Sequence, residues 1–452
     1  MTALTSVTAL TRRQLLGLGA AAAATTALSG CATPGMASVN TAPTIPPAPD
    51  GKTVTLTYWA WLKDLQKVAD IWNAANPHIQ VQTVWIPSSG EGGYQKLYTA
   101  LAAGGGPDLA QVELRAMPEF MLVNGLVDLG RYGAQEHAAT FDPTLWGQVS
   151  FVDGVYGIPQ DSGPMATFYQ PALFDAVGAK PPTTWTQWAQ VAAELRKNKV
   201  YIDAFSISDP SSFVAYATQA GATWLRAEAD GWVLDMTDEA TMTVARFFDE
   251  AIDKDLVTTA FSLYSPPWFA AAANGTLASL TDASWADALV KGVANGEGKW
   301  RVTPMPRWEH GGYGSSYRGG STTAVLANSA HPKEALAFAA WLNGTHEGID
   351  ALIANSGIGW SPIKDFIGTA RKGPSEFFGG QDYNTEVFLP ASTQQNDKWQ
   401  WWPITQQSLN ILADEFRRKA SGQSLVDSVT KAEEGILAAF RNKGLSIRKG
   451  KP

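Results

Sequence analysis

The chain has 452 residues, 45% of them hydrophobic, which is material for two or three packed domains and excludes a disordered polypeptide. Its 34 basic and 42 acidic residues give a net charge of −8, which argues against a nucleic-acid partner, since those want a basic face. A lone cysteine, Cys31, excludes intrachain disulfides, and the five histidines (His78, His137, His310, His331 and His346) lack metal-ligand spacing.

In chain order, the first signal is Thr11-Arg12-Arg13-Gln14-Leu15-Leu16, a twin-arginine start, followed by an Ala-rich apolar run ending in Leu28-Ser29-Gly30-Cys31. The run is shorter than the roughly 20 residues of a membrane-spanning helix and has the flanks of an export signal. The pattern fits a lipobox, so residues 1–30 are expected to be a signal peptide and Cys31 a lipidated N-terminus. Leu15 and Gly17 depart from the fuller twin-arginine pattern, so the twin-arginine and general secretory routes both stay open. Residues 31–52, with TAPTIPPAPDGK, read as a lipid anchor and extended Pro-rich linker.

Residues 53–61 (TVTLTYWAW) alternate as a strand. Residues 62–75 place Leu65, Val68, Ala69, Ile71 and Trp72 on one helical face and stop at Asn76-Pro77. A strand at 79–86, a helix at 94–103 broken by Gly104-Gly105-Gly106-Pro107, and a strand at 108–113 follow. This β-α-β-α-β order predicts a parallel sheet. Residues 155–159 form a short strand that Pro159 must end or push to an edge, because proline offers no N–H to the ladder. A polar turn at 160–164 leads to a strand at 165–169. A helix then starts after Thr183 and Thr184, whose hydroxyls suit an N-cap, and carries Trp185, Trp188 and Leu195. Strand ends are expected at 201–205 and 282–287, helices at 237–252 and 265–274, β structure over 302–326 and a helix at 332–342. From Pro403 the chain reads as two helices split near Ser421-Gly422.

Several of these stretches carry a resemblance. DGVYGIP at 153–159, FYQPALFDAVG at 168–178 and PPTTWTQW at 181–188 resemble the extracellular solute-binding proteins of bacterial carbohydrate ABC importers, the maltose-binding-protein-like family. WNAANP at 72–77 and YQKLYTALAAGGGPD at 94–108 agree with that family's opening. Gln170 stands where the family usually has Asn, and Gln187 where it often has an acid. The resemblance implies an α/β, two-lobed periplasmic-binding-protein-like fold with discontinuous lobes and a hinge-closing cleft. Residues 53–164 plus 300–343 would form one lobe, and 165–299 plus 344–452 the other.

No nucleophile elbow, phosphate loop or cysteine nucleophile is present. A glycoside hydrolase needs two carboxylates flanking a sugar; Glu113, Asp161 and Asp282 are nominees, but no spacing pairs them. A sugar site instead needs carboxylates and arginines for hydroxyl groups and aromatic faces for the ring, just beyond strand ends. Trp61 and Asp64 follow the first strand, though Asp64 and its neighbour Lys63 could simply be solvated. By resemblance, Glu113 and Arg115 take polar ligand contacts, Asp161 a sugar-binding carboxylate and Trp285 a stacking aromatic, with Asp282 beside it. Arg318-Gly319-Gly320 forms a turn whose glycines let backbone approach a ligand, or else an ordinary hairpin. Of Trp399, Trp401 and Trp402, one or two are expected to stack on sugar, and Trp360 is a lesser candidate; Trp72, Trp185, Trp188 and Trp341 are expected in the core.

The resulting expectation is a monomeric, non-enzymatic substrate-binding lipoprotein held outside the cytoplasmic membrane through Cys31. It needs no cofactor or metal, captures a sugar or oligosaccharide by cleft closure, and delivers it to permease subunits. Binding of a glycerophosphodiester or another polyol on the same fold stays open as an alternative, as does glycoside hydrolysis.

Overall fold

The computed structural model describes residues 52–88, 92–151, 154–228 and 231–450. The expected signal peptide, Cys31 and the Pro-rich linker lie outside the described residues. Eight strands organise the site: β1 (Val54–Ala60), β2 (Ile79–Trp85), β3 (Leu109–Glu113), β4 (Ile158–Asp161), β5 (Met165–Tyr169), β6 (Ser279–Ala283), β7 (Arg301–Pro304) and β8 (Ser321–Val325).

Alternation in VTLTYWA buries Val54, Leu56, Tyr58 and Ala60 on one side of β1. The helix Leu65–Ala75 covers that side with Leu65, Val68, Ala69 and Trp72, and ends where Asn76 donates its backbone N–H to the Trp72 carbonyl just before Pro77. β1 pairs in parallel with β2 and β3, as the β-α-β-α-β order requires. The sheet then turns antiparallel, with β8 running between β3 and β4 to give the order β2-β1-β3-β8-β4. Pro159 lies in β4, the edge strand, where its missing N–H leaves no ladder bond unmade.

In the second sheet, β5 is flanked antiparallel by β6 and β7. Backbone bonds from Tyr201 to Thr276 and from Ala278 to Tyr201 dock the 201–204 stretch beside β6, and Val257–Thr258 pairs with Asp203–Ala204 beyond it. The helix Trp185–Lys197 starts where the Thr184 hydroxyl accepts from the Gln187 N–H at 3.2 Å. It buries Trp185 and Trp188 against Phe247 and Phe248. The last two long helices, Thr405–Arg417 and Leu425–Asn442, close this lobe with Leu412, Phe416, Ile436 and Phe440.

Two expected lobe boundaries move. β7 belongs to the second sheet, so the return crossing lies between Pro304 and Ser321, later than residue 300. The helix His346–Asn355 packs Ile349 and Leu352 into the core formed by Leu56, Val68 and Phe338, and Ile363 and Phe366 join it. This part of the chain therefore stays with the first lobe, and the helix Pro332–Gly344 does not end that lobe's share.

Candidate ligand-binding cleft

Three strand ends meet at one edge of the first sheet. Ser321 opens β8 and pairs with Glu113 at the end of β3 on one side and Asp161 at the end of β4 on the other. A hydrogen-bond relay crosses this edge. The Trp61 N–H donates to Gln111 Oε1 (3.2 Å), Gln111 Nε2 donates to Ser321 Oγ (3.2 Å), and that hydroxyl donates to Asp161 Oδ1 (2.6 Å). Asp161 also accepts from the Ser321 N–H (2.7 Å) and, through Oδ2, from the Gly359 N–H (3.1 Å). Burial raises the Asp161 pKa despite these donors.

Beside the relay, the Tyr94 hydroxyl donates to Glu113 Oε2 (3.2 Å), and Arg115 Nη2 lies 3.2 Å from both Glu113 oxygens. Burial, reinforced by the Glu113 charge, keeps the Tyr94 hydroxyl protonated far above the ordinary tyrosine value. Trp61 sets its ring edge-on to Tyr94 at 6.4 Å.

The second lobe presents a matching group at the end of β6. Asp282 is 0% exposed; its Oδ2 accepts from the Tyr264 hydroxyl (2.6 Å) and from Arg318, and its Oδ1 accepts from the Ala283 N–H (2.7 Å). Arg318 Nη2 reaches Asp209 at 2.9 Å. Burial opposes the Arg318 charge, but Asp282 and Asp209 outweigh it and raise its pKa further. Burial would also raise Asp209, yet Arg318 holds it below the usual carboxylate range. Trp285 donates its indole N–H to the Arg318 carbonyl (2.9 Å), with the guanidinium carbon 5.5 Å from its ring centre and Tyr264 at 5.9 Å. Tyr264 has φ 61°, a left-handed conformation that costs a non-glycine residue about 1–2 kcal/mol and turns its hydroxyl onto Asp282.

Two crossing segments, 161–164 and 317–320, join the halves, and the stretch around Trp360 bonds to the first of them. Ser162 and Trp360 exchange backbone bonds at 2.9 and 3.0 Å, and the Arg318 N–H donates to the Gly163 carbonyl at 2.9 Å. Gly320, at φ 107°, has no room for a side chain: a Cβ would lie 2.9 Å from Leu114 Cδ1 and 3.1 Å from the Asp161 carbonyl. The Asp209 charge adds to that of Glu113 in raising the Arg115 pKa against burial.

The structure thus brings Trp61, Glu113, Arg115, Asp161, Asp282, Trp285, Arg318, Gly319 and Gly320 together around the strand ends. Asp282 is enclosed, and it holds the Arg318 guanidinium in place. Trp401 lies half-buried against the cores of both lobes, close to where the Gln406 N–H donates to Glu119 Oε1 (2.7 Å). Trp402 is a correction: at 0% exposure, with its indole N–H bonded to Ser408 Oγ (2.9 Å) and its ring against Trp224, it is core. Trp399 is core as well, leaving Trp401 as the one of that trio placed between the lobes. Trp360, 5% exposed, packs on Phe388 and walls a separate cavity of about 460 Å³ that also touches Thr144, Tyr313, Lys364 and Gln394. None of the Glu113–Trp285 group lines that cavity. Asp64 is exposed, among the described residues paired only with Lys67 at 3.3 Å, and stands apart from the relay.

Tyr94, Gln111, Asp209 and Tyr264 join the site without having been singled out from the sequence. Among the described residues, no group of three or more His, Cys, Asp or Glu could hold a metal ion, and no helix is long and apolar enough to cross a membrane.

A family model described as bacterial extracellular solute-binding protein matches residues 52–346. The chain belongs to that family. This solute-binding protein is 24% identical over 361 residues to the lactose-binding protein of Rhizobium radiobacter, spanning 72% of this chain and 79% of the relative. It is 24% identical over 303 residues to the arabinooligosaccharide-binding protein of Bacillus subtilis, spanning 65% and 68%. Among solved structures, the galacto-N-biose/lacto-N-biose I-binding protein of an ABC transporter from Bifidobacterium longum, bound to lacto-N-biose, superposes with a TM-score of 0.80 at 26% identity, covering 88% of this chain and all of that one. The two-lobed architecture is therefore that of periplasmic sugar-binding proteins.

Proposed function

We propose that this solute-binding protein captures a neutral sugar or oligosaccharide between its lobes and delivers it to the permease of an ABC importer. The observation that carries the reading is the state of the two arginines in the cleft. Arg115 is held by both oxygens of Glu113, and Arg318 by Asp282 and Asp209. Arginines neutralised in this way keep donors for hydroxyl groups but bring little net charge to attract a phosphate, which favours a sugar over a glycerophosphodiester. The half-buried faces of Trp61 and Trp285 supply the apolar complement for a ring.

Hinge closure follows from the same geometry. Contacts from both lobes are complete only when the lobes meet, so bound sugar shifts the population towards the closed form, which the permease then reads. In this reading the hinge consists of residues 161–164 and 317–320, with the 359–361 stretch bonded against the first of them. The chain acts as a carrier rather than an enzyme, working as a monomer, and Cys31 carries the lipid that keeps it at the outer face of the membrane.

A thermal-shift screen of the mature chain tests the proposal, using mono- and disaccharides, longer oligosaccharides, polyols and glycerophosphodiesters. A ligand that binds only the folded state raises Tm by mass action. A rise with sugars alone is expected. A rise with glycerophosphodiesters alone would refute the neutral-sugar reading. For the anchor, Cys31→Ser should release the protein from the membrane fraction.

A further inference from the structure

Trp85 ends β2, an edge strand of the first sheet, and is 56% exposed. An exposed tryptophan on an edge strand is most simply a lone surface residue, but this one is held in place. Its indole N–H donates to the Trp61 carbonyl at 3.1 Å. Trp61 in turn packs on Tyr94, and Tyr94 bonds to Glu113. A line of three aromatic residues therefore runs from the Glu113–Arg115 pair out to the rim of the first lobe.

Beside Trp85 is a depression of about 180 Å³ that Asp64, Gln66 and Thr83 also line. Gln66 and Thr83 bond to each other (Thr83 N–H to Gln66 Oε1, 2.7 Å) and form a fixed floor. Asp64 has φ 55° at the start of the helix Leu65–Ala75, yet its carboxylate does not cap that helix. Among the described residues its one ion-pair partner is the solvated Lys67. A left-handed non-glycine residue with a largely unspent carboxylate, next to a fixed and exposed indole, is a combination that folding alone does not require. An aromatic face with a hydroxyl acceptor at its edge is what a sugar ring needs.

We propose that Trp85 and Asp64 form a rim subsite for an outer sugar unit of an oligosaccharide whose inner units lie over Glu113 and Trp285. This rests on the sugar reading above and deepens it: the ligand is a trisaccharide or longer, and Trp85 sets the preference for length. Continuity along Tyr94 and Trp61 favours a sugar as occupant over a protein.

The test is calorimetric titration of the full mature chain and of Trp85→Ala with di- and tetrasaccharides of β-galactose, α-glucose, β-glucose and arabinose. The unaltered protein is expected to bind one tetrasaccharide at least fivefold more tightly than the matching disaccharide. Trp85→Ala should lose that gain while keeping its Tm and its disaccharide affinity, and Trp85→Phe should restore part of it. Equal tetrasaccharide affinity in Trp85→Ala and the unaltered protein overturns the subsite and leaves the sugar reading standing. So does unchanged affinity accompanied by impaired uptake through the permease, which would make Trp85 a permease contact. Silence of the unaltered protein across all four series overturns the sugar reading itself, and the subsite with it.

Discussion

Arg318→Met is the substitution whose consequence the structure specifies most closely. It removes the guanidinium that joins Asp282 to Asp209 and leaves Asp282, at 0% exposure, with only the Tyr264 hydroxyl and the Ala283 N–H. Breaking a buried pair from one side costs about 3–5 kcal/mol, because the remaining charge keeps its desolvation penalty without its partner. Unfolding entropy near 2.1 cal/mol/K per residue gives a chain of this size on the order of 0.8 kcal/mol/K, so Tm should fall by about 4–6 °C if both lobes melt together. If the second lobe melts alone, the fall should be roughly twice that. Calorimetric melts of the parent, Arg318→Met, Asp282→Asn and the double variant complete a mutant cycle. The double variant should recover much of the loss, since no orphaned carboxylate remains. A melt of Arg318→Met within 1 °C of the parent, or a double variant no better than the single one, would mean that Asp282 is hydrated and the pair adds no stability.

Trp285→Ala should weaken sugar binding at least tenfold in titrations while lowering Tm only slightly, because its ring is half-buried at the cleft surface. Trp402→Ala should do the reverse, costing about 3–5 kcal/mol in denaturant melts and leaving the affinity of the folded fraction intact. Gly163→Ala would place a Cβ 2.0 Å from the Arg318 carbonyl and 3.0 Å from Ala283 Cβ, so it should lower both Tm and affinity. Gly147→Ala, in the helix Pro143–Val149 with nothing within 4 Å, should leave both unchanged or raise Tm slightly. Asp203 gives a pH signature: burial pushes its pKa to about 8 despite N–H bonds from Thr281 and Ala204. The folded state then holds a proton that the unfolded state has lost, so stability falls as pH rises from about 4 towards 8. In melts across pH 5–8, Asp203→Asn should gain on the parent as pH increases; a constant difference would show that Asp203 is ionised throughout.

The parallel opening of the first sheet was legible because each of its elements buries one clean face, as in the VTLTYWA strand and the Leu65–Ala75 helix. Pro159 likewise announced an edge. The boundary between the lobes was not legible, since Arg301–Pro304 and Ser321–Val325 read alike as short β segments and only pairing partners assign them to different sheets. Trp401 and Trp402 are adjacent in sequence and share their composition, so only the direction of each side chain from an irregular backbone separates a core residue from one between the lobes. Tyr94 and Tyr264 reach the site from a helix and a loop whose docking no local pattern encodes. Asp209, in a Ser-Asp-Pro turn ahead of the helix Ser211–Ala220, carried a faint signal: a carboxylate whose Oδ1 already accepts from Ser211, leaving Oδ2 for Arg318.

The crossing segments also explain why capture and closure should be tightly coupled here. Asp161 and Arg318, the polar groups nearest the strand ends, belong to the hinge itself: Asp161 is followed by Ser162, which bonds to Trp360, and Arg318 bonds to Gly163. Asp161 spends both carboxylate oxygens on Ser321 and Gly359, which tie the start of β8 and the 359–361 stretch to it. Any rotation of the lobes that reorients these segments therefore also reorients Asp161 and Arg318. Under the proposed function, a sugar that accepts from Arg318 and donates towards Glu113 would read this orientation directly. On that proposal its binding energy would be delivered at the hinge, without a relay of packed side chains across either lobe.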